Sequence, residues 1–365
     1  MKITAALVKS MGEPFEIEEI DLDDPRSDEI IVRIIGAGLC HTDLFFRDHV
    51  PIPIPSVFGH EGAGIVEKVG EKVVNIEPGD HVVLSYNSCG SCNRCLQGYP
   101  SYCQDWRKIN LNGTRADGSY TLSKGGSPLY GAFFNQSSFA NYALASQRNT
   151  VKVPKDIPLE MLGPLGCGVQ TGAGAVLNAL RASAGSSIAV FGVGSVGLSA
   201  IMAAVVAGCT TIVGIDIQQR RLEVAQQFGA THVINANEEK PVEKIQFITG
   251  SGVNFSIDTT AVPSVYRQAI ESLDQMGVCG LVGVPKPGIE VNLEMSNLLW
   301  GRSTRGIIEG DSIPQVFIPQ LIELYKQGRF PFDKLIKYYP IENINQAVQD
   351  SIDGITVKPV LTFAM

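Results

Sequence analysis

Cys89, Cys92, Cys95 and Cys103 form the pattern C-x2-C-x2-C-x7-C. Four thiolates at this spacing can surround one ion tetrahedrally, with Zn–S distances of ~2.3 Å. All four positions would then be filled, leaving none for water or substrate, so the expected site is structural. Its work would be to brace a long loop with little core of its own. An iron–sulfur cluster is the alternative chemistry for clustered cysteines. A zinc finger reading nucleic acid would need a basic face that this stretch lacks.

Gly192-Val193-Gly194-Ser195-Val196-Gly197 fits G-x-G-x-x-G. Such glycines recur by chance, but these follow an apolar strand-like run and open a helix-like one. Asp216 stands at the end of the next strand-like run. In that context Gly192 allows the tight turn, Gly194 admits a pyrophosphate against the backbone, and Gly197 lets helix pack on strand. The helix N-terminus offers unpaired N–H groups to phosphate. Asp216 would accept from the adenosine ribose hydroxyls and repel a 2′-phosphate, which favours NAD over NADP. Arg220 and Arg221 could close over the adenosine or simply form a solvated helix face.

Cys40, Cys167, Cys209, Cys279 and five histidines remain. No spacing rule connects Cys40, His60 and Cys167, and a lone cysteine or histidine is more often packing than ligand.

These groups need a scaffold. At 365 residues the chain has length for roughly two domains of ~150 residues. A charged fraction of 18% and an apolar fraction of 44% are those of a folded globular chain. The net charge of −8, with no basic block, disfavours nucleic acid and anionic membrane as partners. No secretory leader is visible at Met1-Lys2-Ile3-Thr4, and the cysteines cluster rather than forming a disulfide framework, so a cytoplasmic protein is expected. The uncharged stretch from Ala182 to Ile215 is long enough for a membrane span, but repeated glycines divide it into strand, turn, helix and strand.

The first ~150 residues read as β-rich, with runs such as Ile30–Ile35, Gly62–Gly70 and Asp80–Leu84. From Val169 helices alternate with β-branched runs at Ile188–Phe191, Thr211–Ile215, His232–Ile234, Phe255–Asp258 and Val278–Val284. That alternation predicts a doubly wound parallel sheet. After about Gly306 the texture is mixed, ending in the strand-like Val360-Leu361-Thr362-Phe363.

Gly59-His60-Glu61-Gly62-Ala63-Gly64-Ile65-Val66 closely resembles the G-H-E-x-x-G-x-V motif of the zinc-dependent medium-chain alcohol dehydrogenases. Cys40-His41-Thr42-Asp43, the four-cysteine loop, Gly166-Cys167-Gly168 and the glycine turn match that family in order and spacing. Within it, Ile307-Ile308-Glu309-Gly310-Asp311 and Gly328-Arg329-Phe330-Pro331-Phe332 are similar to the aryl-alcohol (benzyl alcohol) dehydrogenases. The resemblance implies an α/β protein with a GroES-like irregular β-barrel catalytic domain and a Rossmann domain. The implied boundaries are 1–168, 169–307 and a return of 308–365 to the catalytic domain.

The resemblance further implies that Cys40, His60 and Cys167 hold a catalytic zinc, with a fourth position open to water or substrate. Glu61 would lie behind the metal and coordinate transiently, while Asp43 would accept from the His60 ring N–H. Thr42 would hydrogen-bond the substrate oxygen and begin proton removal. Thr171 and Val196 would line the nicotinamide, His41 and Lys358 would stand near the pyrophosphate, and Asp216 and Arg221 would take the adenosine ribose. Two zinc ions and NAD are the implied cofactors, and a homo-oligomer, tetramer before dimer, the implied assembly. Three residues after Thr42, where many relatives have a proton-accepting histidine, this chain has Phe45. The implied reaction interconverts an aromatic primary alcohol and its aldehyde. Glutathione-dependent formaldehyde oxidation, aliphatic alcohol oxidation and a zinc-bearing protein without turnover are the alternatives.

Overall fold

A computed structural model describes residues 1–50 and 52–363. The chain divides into two compact units, one of 1–167, 313–322 and 333–365, the other of 168–312 and 323–332.

The first unit is built on two sheets. The larger runs Thr150–Lys152, His81–Leu84, Gly62–Val69, Glu29–Gly38, Lys358–Thr362 and Ile336–Pro340 in spatial order, and Tyr142–Ser146 also pairs with Glu29–Gly38. The smaller runs Ser56–Val57, Lys2–Val8, Glu16–Leu22, Leu122–Lys124 and Ser127–Leu129. Glu29–Gly38 is the organising strand. Nearly all of its residues are buried, and apolar side chains fit both of its faces. One continuous core includes Ile30, Val32, Ile34, Phe58, Val66, Phe133, Phe139 and Leu361. These are short strands, antiparallel except for the parallel pair Ile336–Pro340 and Lys358–Thr362, wrapped by irregular turns, the GroES-like irregular barrel.

The second unit carries six parallel strands in the order His232–Asn235, Thr211–Asp216, Ser187–Phe191, Val253–Asp258, Leu273–Leu281, Ser303–Gly306. The first three run outward from Ser187–Phe191 and the next three continue from its other side. The order therefore reverses beside Ser187–Phe191, the Rossmann arrangement in which ligands meet strand ends at the switch point. Ala189, Val190 and Phe191 are fully buried, as the uncharged run requires. The uncharged stretch resolves into strand Ser187–Phe191, helix Ser195–Ala207 and strand Thr211–Asp216. Among the described residues no helix is long and apolar enough to cross a membrane.

Two strands differ from expectation. The fifth spans Leu273–Leu281 rather than starting at Val278, because Leu273 already pairs with Val253 across an irregularity before Phe255. The sixth, Ser303–Gly306, is exposed throughout and has no apolar run to announce it.

Candidate active site

Cys40 ends the turn after strand Glu29–Gly38 and caps helix His41–His49. His60 and Glu61 precede strand Gly62–Val69, and Cys167 follows a short turn at Gly163–Gly166. One ligand atom from each of Cys40, His60, Glu61 and Cys167 lies within 4.8 Å of the other three. All four residues are buried, so residues distant in sequence converge in one buried site.

Asp43 organises the histidine. Its carboxylate accepts from His60 Nδ1 at 2.8 Å, from the Gly59 N–H at 3.1 Å and from the Cys40 N–H at 3.0 Å. With Nδ1 committed as donor, the neutral ring presents Nε2 as a lone pair, and that buried atom has no hydrogen-bond partner. A buried ring nitrogen without a partner beside two cysteine sulfurs is the donor set that zinc takes. The Cys40 thiol is held well below its usual range by its contact with Cys167 and by the charge of Lys358, against the effect of burial. His60 is also clamped by aromatic rings, Phe134 at 4.5 Å and Phe133 at 5.6 Å between centroids. Trp106 meets Phe134 edge-on at 5.4 Å.

Lys358, expected at the pyrophosphate, is 1% exposed. Its Nζ donates to Glu61 Oε1 at 2.9 Å, to Oε2 at 2.7 Å and to the Leu39 carbonyl at 3.3 Å. Three ammonium protons have three protein acceptors, so this side chain is not a free phosphate ligand. Burial pushes the Glu61 carboxyl up to about 7 despite that cation. Gly38 makes room for it, since a Cβ there would come within 1.9 Å of Glu61 Oε2. Thr42 is half-buried and His41 exposed in the first turn of their helix. Phe45 is buried and meets Phe46 and His49 edge-on.

The four-cysteine loop is arranged for an ion. Cys92 and Cys95 sulfurs are 3.6 Å apart and those of Cys89 and Cys95 4.0 Å. A tetrahedron with Zn–S of ~2.3 Å has edges of about 3.8 Å. Backbone N–H groups of Cys92 and Cys89 point at the sulfurs of Cys89 and Cys103, each at 3.3 Å. Such bonds favour thiolate, and the thiol of Cys89 falls to about 6 through the N–H groups of Ser91 and Cys92. None of the four is in a disulfide.

In the second unit Gly192 has φ of +82°, a conformation that glycine adopts freely. A Cβ on Gly197 would lie 2.0 Å from the Gly192 carbonyl oxygen, whereas one on Gly194 would meet nothing within 4 Å. One glycine thus permits the turn, one the helix contact, and the middle one leaves open space. Asp216 Oδ2 accepts from the Val193 N–H at 2.9 Å, and Oδ1 accepts from Ile217 and Gln218. Arg221 Nη1 lies 3.9 Å from Asp216. Val196 is half-buried in the first turn of the helix. Thr171 is buried in helix Gly168–Gly174 and donates to Glu309 Oε2 at 3.4 Å.

Phe133 and Phe134 have no part in the sequence reading, and no ligand-type spacing marks them, whereas Trp106, with Phe45 and Leu111, is its candidate wall of the substrate pocket. Glu309 lies within a segment singled out for likeness.

Residues 26–155 match the alcohol dehydrogenase GroES-like domain and residues 195–327 the zinc-binding dehydrogenase domain. A geraniol dehydrogenase of Castellaniella defragrans is 44% identical over 362 residues, covering 98% of this chain and 97% of the relative. A benzyl alcohol dehydrogenase structure from Acinetobacter calcoaceticus is 45% identical and superposes with a TM-score of 0.97, covering 100% of both chains. An alcohol dehydrogenase zinc-binding domain protein from Burkholderia ambifaria is 51% identical with a TM-score of 0.98, again over 100% of both.

Proposed function

The chain belongs to the zinc-dependent medium-chain alcohol dehydrogenases, whose cofactors are zinc and NAD(H), and we propose that it interconverts benzyl-type primary alcohols and their aldehydes. When bound by these residues, zinc would supply Lewis-acid chemistry for the substrate oxygen and NAD a hydride acceptor. The observation that carries the reading is the buried convergence of Cys40, His60 and Cys167 around an unpartnered His60 Nε2.

Cys40, His60 and Cys167 hold the catalytic ion, and Cys89, Cys92, Cys95 and Cys103 the structural one. Asp43 fixes the His60 tautomer. Lys358 holds both Glu61 oxygens, and release of one of them would let that carboxylate serve as a transient ligand to the bound ion. Thr42 receives the substrate hydroxyl. Phe45 has no atom that accepts a proton, which favours release from Thr42 to water over routes through a cofactor ribose hydroxyl, His41 or His49. Gly192, Gly194 and Gly197 cradle the pyrophosphate, Val196 and Thr171 flank the nicotinamide, and Asp216 and Arg221 take the adenosine ribose. The carboxylate of Asp216 discriminates against a 2′-phosphate. The protein acts in the cytoplasm as a homo-oligomer, with a tetramer favoured.

Two features support an aromatic substrate: the Phe133–Phe134–Trp106 cluster against His60 and the likeness to a benzyl alcohol dehydrogenase. The likeness to a geraniol dehydrogenase favours a second reading, an allylic terpenoid alcohol. In both substrates the carbinol carbon adjoins a π-system. The test is NADH formation from benzyl alcohol, geraniol, ethanol, a polyol, and formaldehyde with glutathione, each also with NADP. A kcat/KM for benzyl alcohol with NAD at least tenfold above the others is expected. Preference for geraniol selects the second reading, and turnover only of ethanol or the glutathione adduct rejects both. No turnover by chains holding both zinc ions would reject an oxidoreductase function.

A further inference from the structure

The segment that leads through His60 into strand Gly62–Val69 is held by residues 136–139. The Val57 carbonyl accepts from Ser137 Oγ at 2.6 Å, the Phe58 carbonyl from the Phe139 N–H at 3.0 Å and the Gly59 carbonyl from the Ser138 N–H at 2.9 Å. At His60 the partner becomes a carboxamide. Gln136 Nε2 donates to the His60 carbonyl at 3.0 Å, and Gln136 Oε1 accepts from the Gly62 N–H at 3.0 Å. The same Nε2 donates to the Ser85 carbonyl at 3.2 Å, just past strand His81–Leu84. Gln136 is 2% exposed, and its amide carries the same donor and acceptor types as a peptide group. It thus does the work of a neighbouring strand on both sides of Glu61, whose own carbonyl accepts from the Gly38 N–H at 2.9 Å.

The turn that carries this amide is strained. Ala132, Phe134, Asn135 and Ser137 have φ of +52°, +50°, +56° and +51°, and none is glycine. Such backbone persists only where its surroundings over-determine it, and it concentrates at functional sites. Asn149 Nδ2 reaches the carbonyls of Phe134 at 3.3 Å and Asn135 at 3.1 Å, and Asn87 Nδ2 donates to Asn135 Oδ1 at 2.9 Å. The Phe133 N–H donates to Ser137 Oγ at 3.0 Å. So held, one turn meets His60 twice, with the Phe133 and Phe134 rings against its imidazole and the Gln136 amide on its carbonyl.

We propose that Gln136 is a positioning residue that locks the His60–Gly62 backbone to the aromatic turn, so that the His60 ring and the rings packed on it keep one register toward the metal. The inference rests on the reading of Cys40, His60 and Cys167 as the catalytic ligands. Asp43 settles which ring nitrogen is a lone pair, but where that nitrogen sits also depends on the direction in which the backbone sends the side chain. Supporting hydrogen bonds that fix such directions govern how well a ligand set holds its ion. With the peptides before and after Glu61 tied to one amide, neither can rotate alone. Methionine at position 136 would have nearly the same length but neither the donor nor the acceptor, leaving the His60 carbonyl and the Gly62 N–H to turn toward other partners.

The test uses the full chain and reads the ion that Cys40→Ser lacks. It is followed by chelator competition for zinc and by the visible absorption of cobalt(II) in its place, each taken as the difference from Cys40→Ser. In Gln136→Met the affinity for this ion is expected to fall by about 10–100-fold and the cobalt bands to shift, while the four-cysteine ion stays and NADH binds as before. Asp350→Asn is the control, because it loosens the contacts with Tyr339 and Lys337 and touches none of the residues of this bracket. It should melt lower and leave affinity and bands unchanged. Wild-type affinity and bands in Gln136→Met would overturn the proposal. So would equal changes in Asp350→Asn, which would mark a general loss of stability. If Gln136→Met does not fold, Gln136→Ala removes the same amide and is judged by the same two readings. A wild-type chain that holds no more ions than Cys40→Ser rejects the catalytic-metal reading and this inference with it, whereas a second ion indifferent to loss of the amide rejects this inference alone.

Discussion

Asp43 and Phe45 stand two residues apart on helix His41–His49 and set the limits on proton traffic. Asp43 has its carboxylate filled by three donors and serves the histidine ring. Phe45 is packed among aromatic rings and takes nothing. Phe45→His places a group of ordinary pKa ~6.5 at this point. The expected result is an added inflection near that pH in the kcat profile, with substrate order unchanged. A superimposable profile would place position 45 outside the proton path. Cys40→Ser removes one of the two sulfurs beside His60. It should abolish turnover and lower the zinc content from two ions per chain to one, measured by elemental analysis, while NADH binding persists. Full activity would refute Cys40 as a ligand.

Elements fail in ways their contacts foretell. Gly197→Ala drives a methyl into the Gly192 carbonyl, which a Cβ would approach to 2.0 Å. Overpacking of this kind destabilises by about 1–3 kcal/mol, so a lower Tm and a loss of NAD affinity of at least tenfold are expected. Asp350 fastens helix Ile344–Ile352 to strand Ile336–Pro340 through Tyr339 at 2.6 Å and Lys337 at 3.0 Å. Those bonds and that of Gln346 lower its carboxyl to about 2. Since the folded value lies below the ordinary ~3.9, the stabilisation is complete above pH ~4 and disappears as pH falls toward 2. Asp350→Asn should therefore melt several degrees lower at pH 7, and the gap should close near pH 2. The strands of the parallel sheet were largely legible because buried strands read as β-branched runs. Ser303–Gly306 was not, because an exposed edge strand carries no such run. The four-cysteine site was legible from local spacing alone. The Cys40–His60–Cys167 site needed the family resemblance, and the Glu61–Lys358 pair, 297 residues apart, escaped even that. Nothing local in either residue specifies the other.

At the scale of the molecule, the two sheets differ in how far the chain travels to close them. All six strands of the parallel sheet come from Ser187–Gly306, one after another. In the larger sheet of the first unit, Lys358–Thr362 inserts between Glu29–Gly38, to which it is antiparallel, and Ile336–Pro340, to which it is parallel, pairing Val360 with Gly38. Synthesis at ~5–20 residues per second separates those partners by about 15–60 s. Through that interval the Gly36–Gly38 end of one edge of Glu29–Gly38 is unpaired, Tyr142–Ser146 covering Glu29–Arg33, and such an edge is a template for aggregation. Nascent chains stalled before Lys358 should therefore be cleaved readily by protease within residues 29–150, whereas chains extended beyond 363 should resist. Early resistance would show that the sheet closes without its late strand. Because that strand also delivers Lys358 to Glu61, a ribosome-bound chain has both carboxylate and cysteine ligands at the future metal site but lacks the ammonium that restrains one of them. The birth order of the polypeptide thus makes completion of the sheet the event that finishes the metal site.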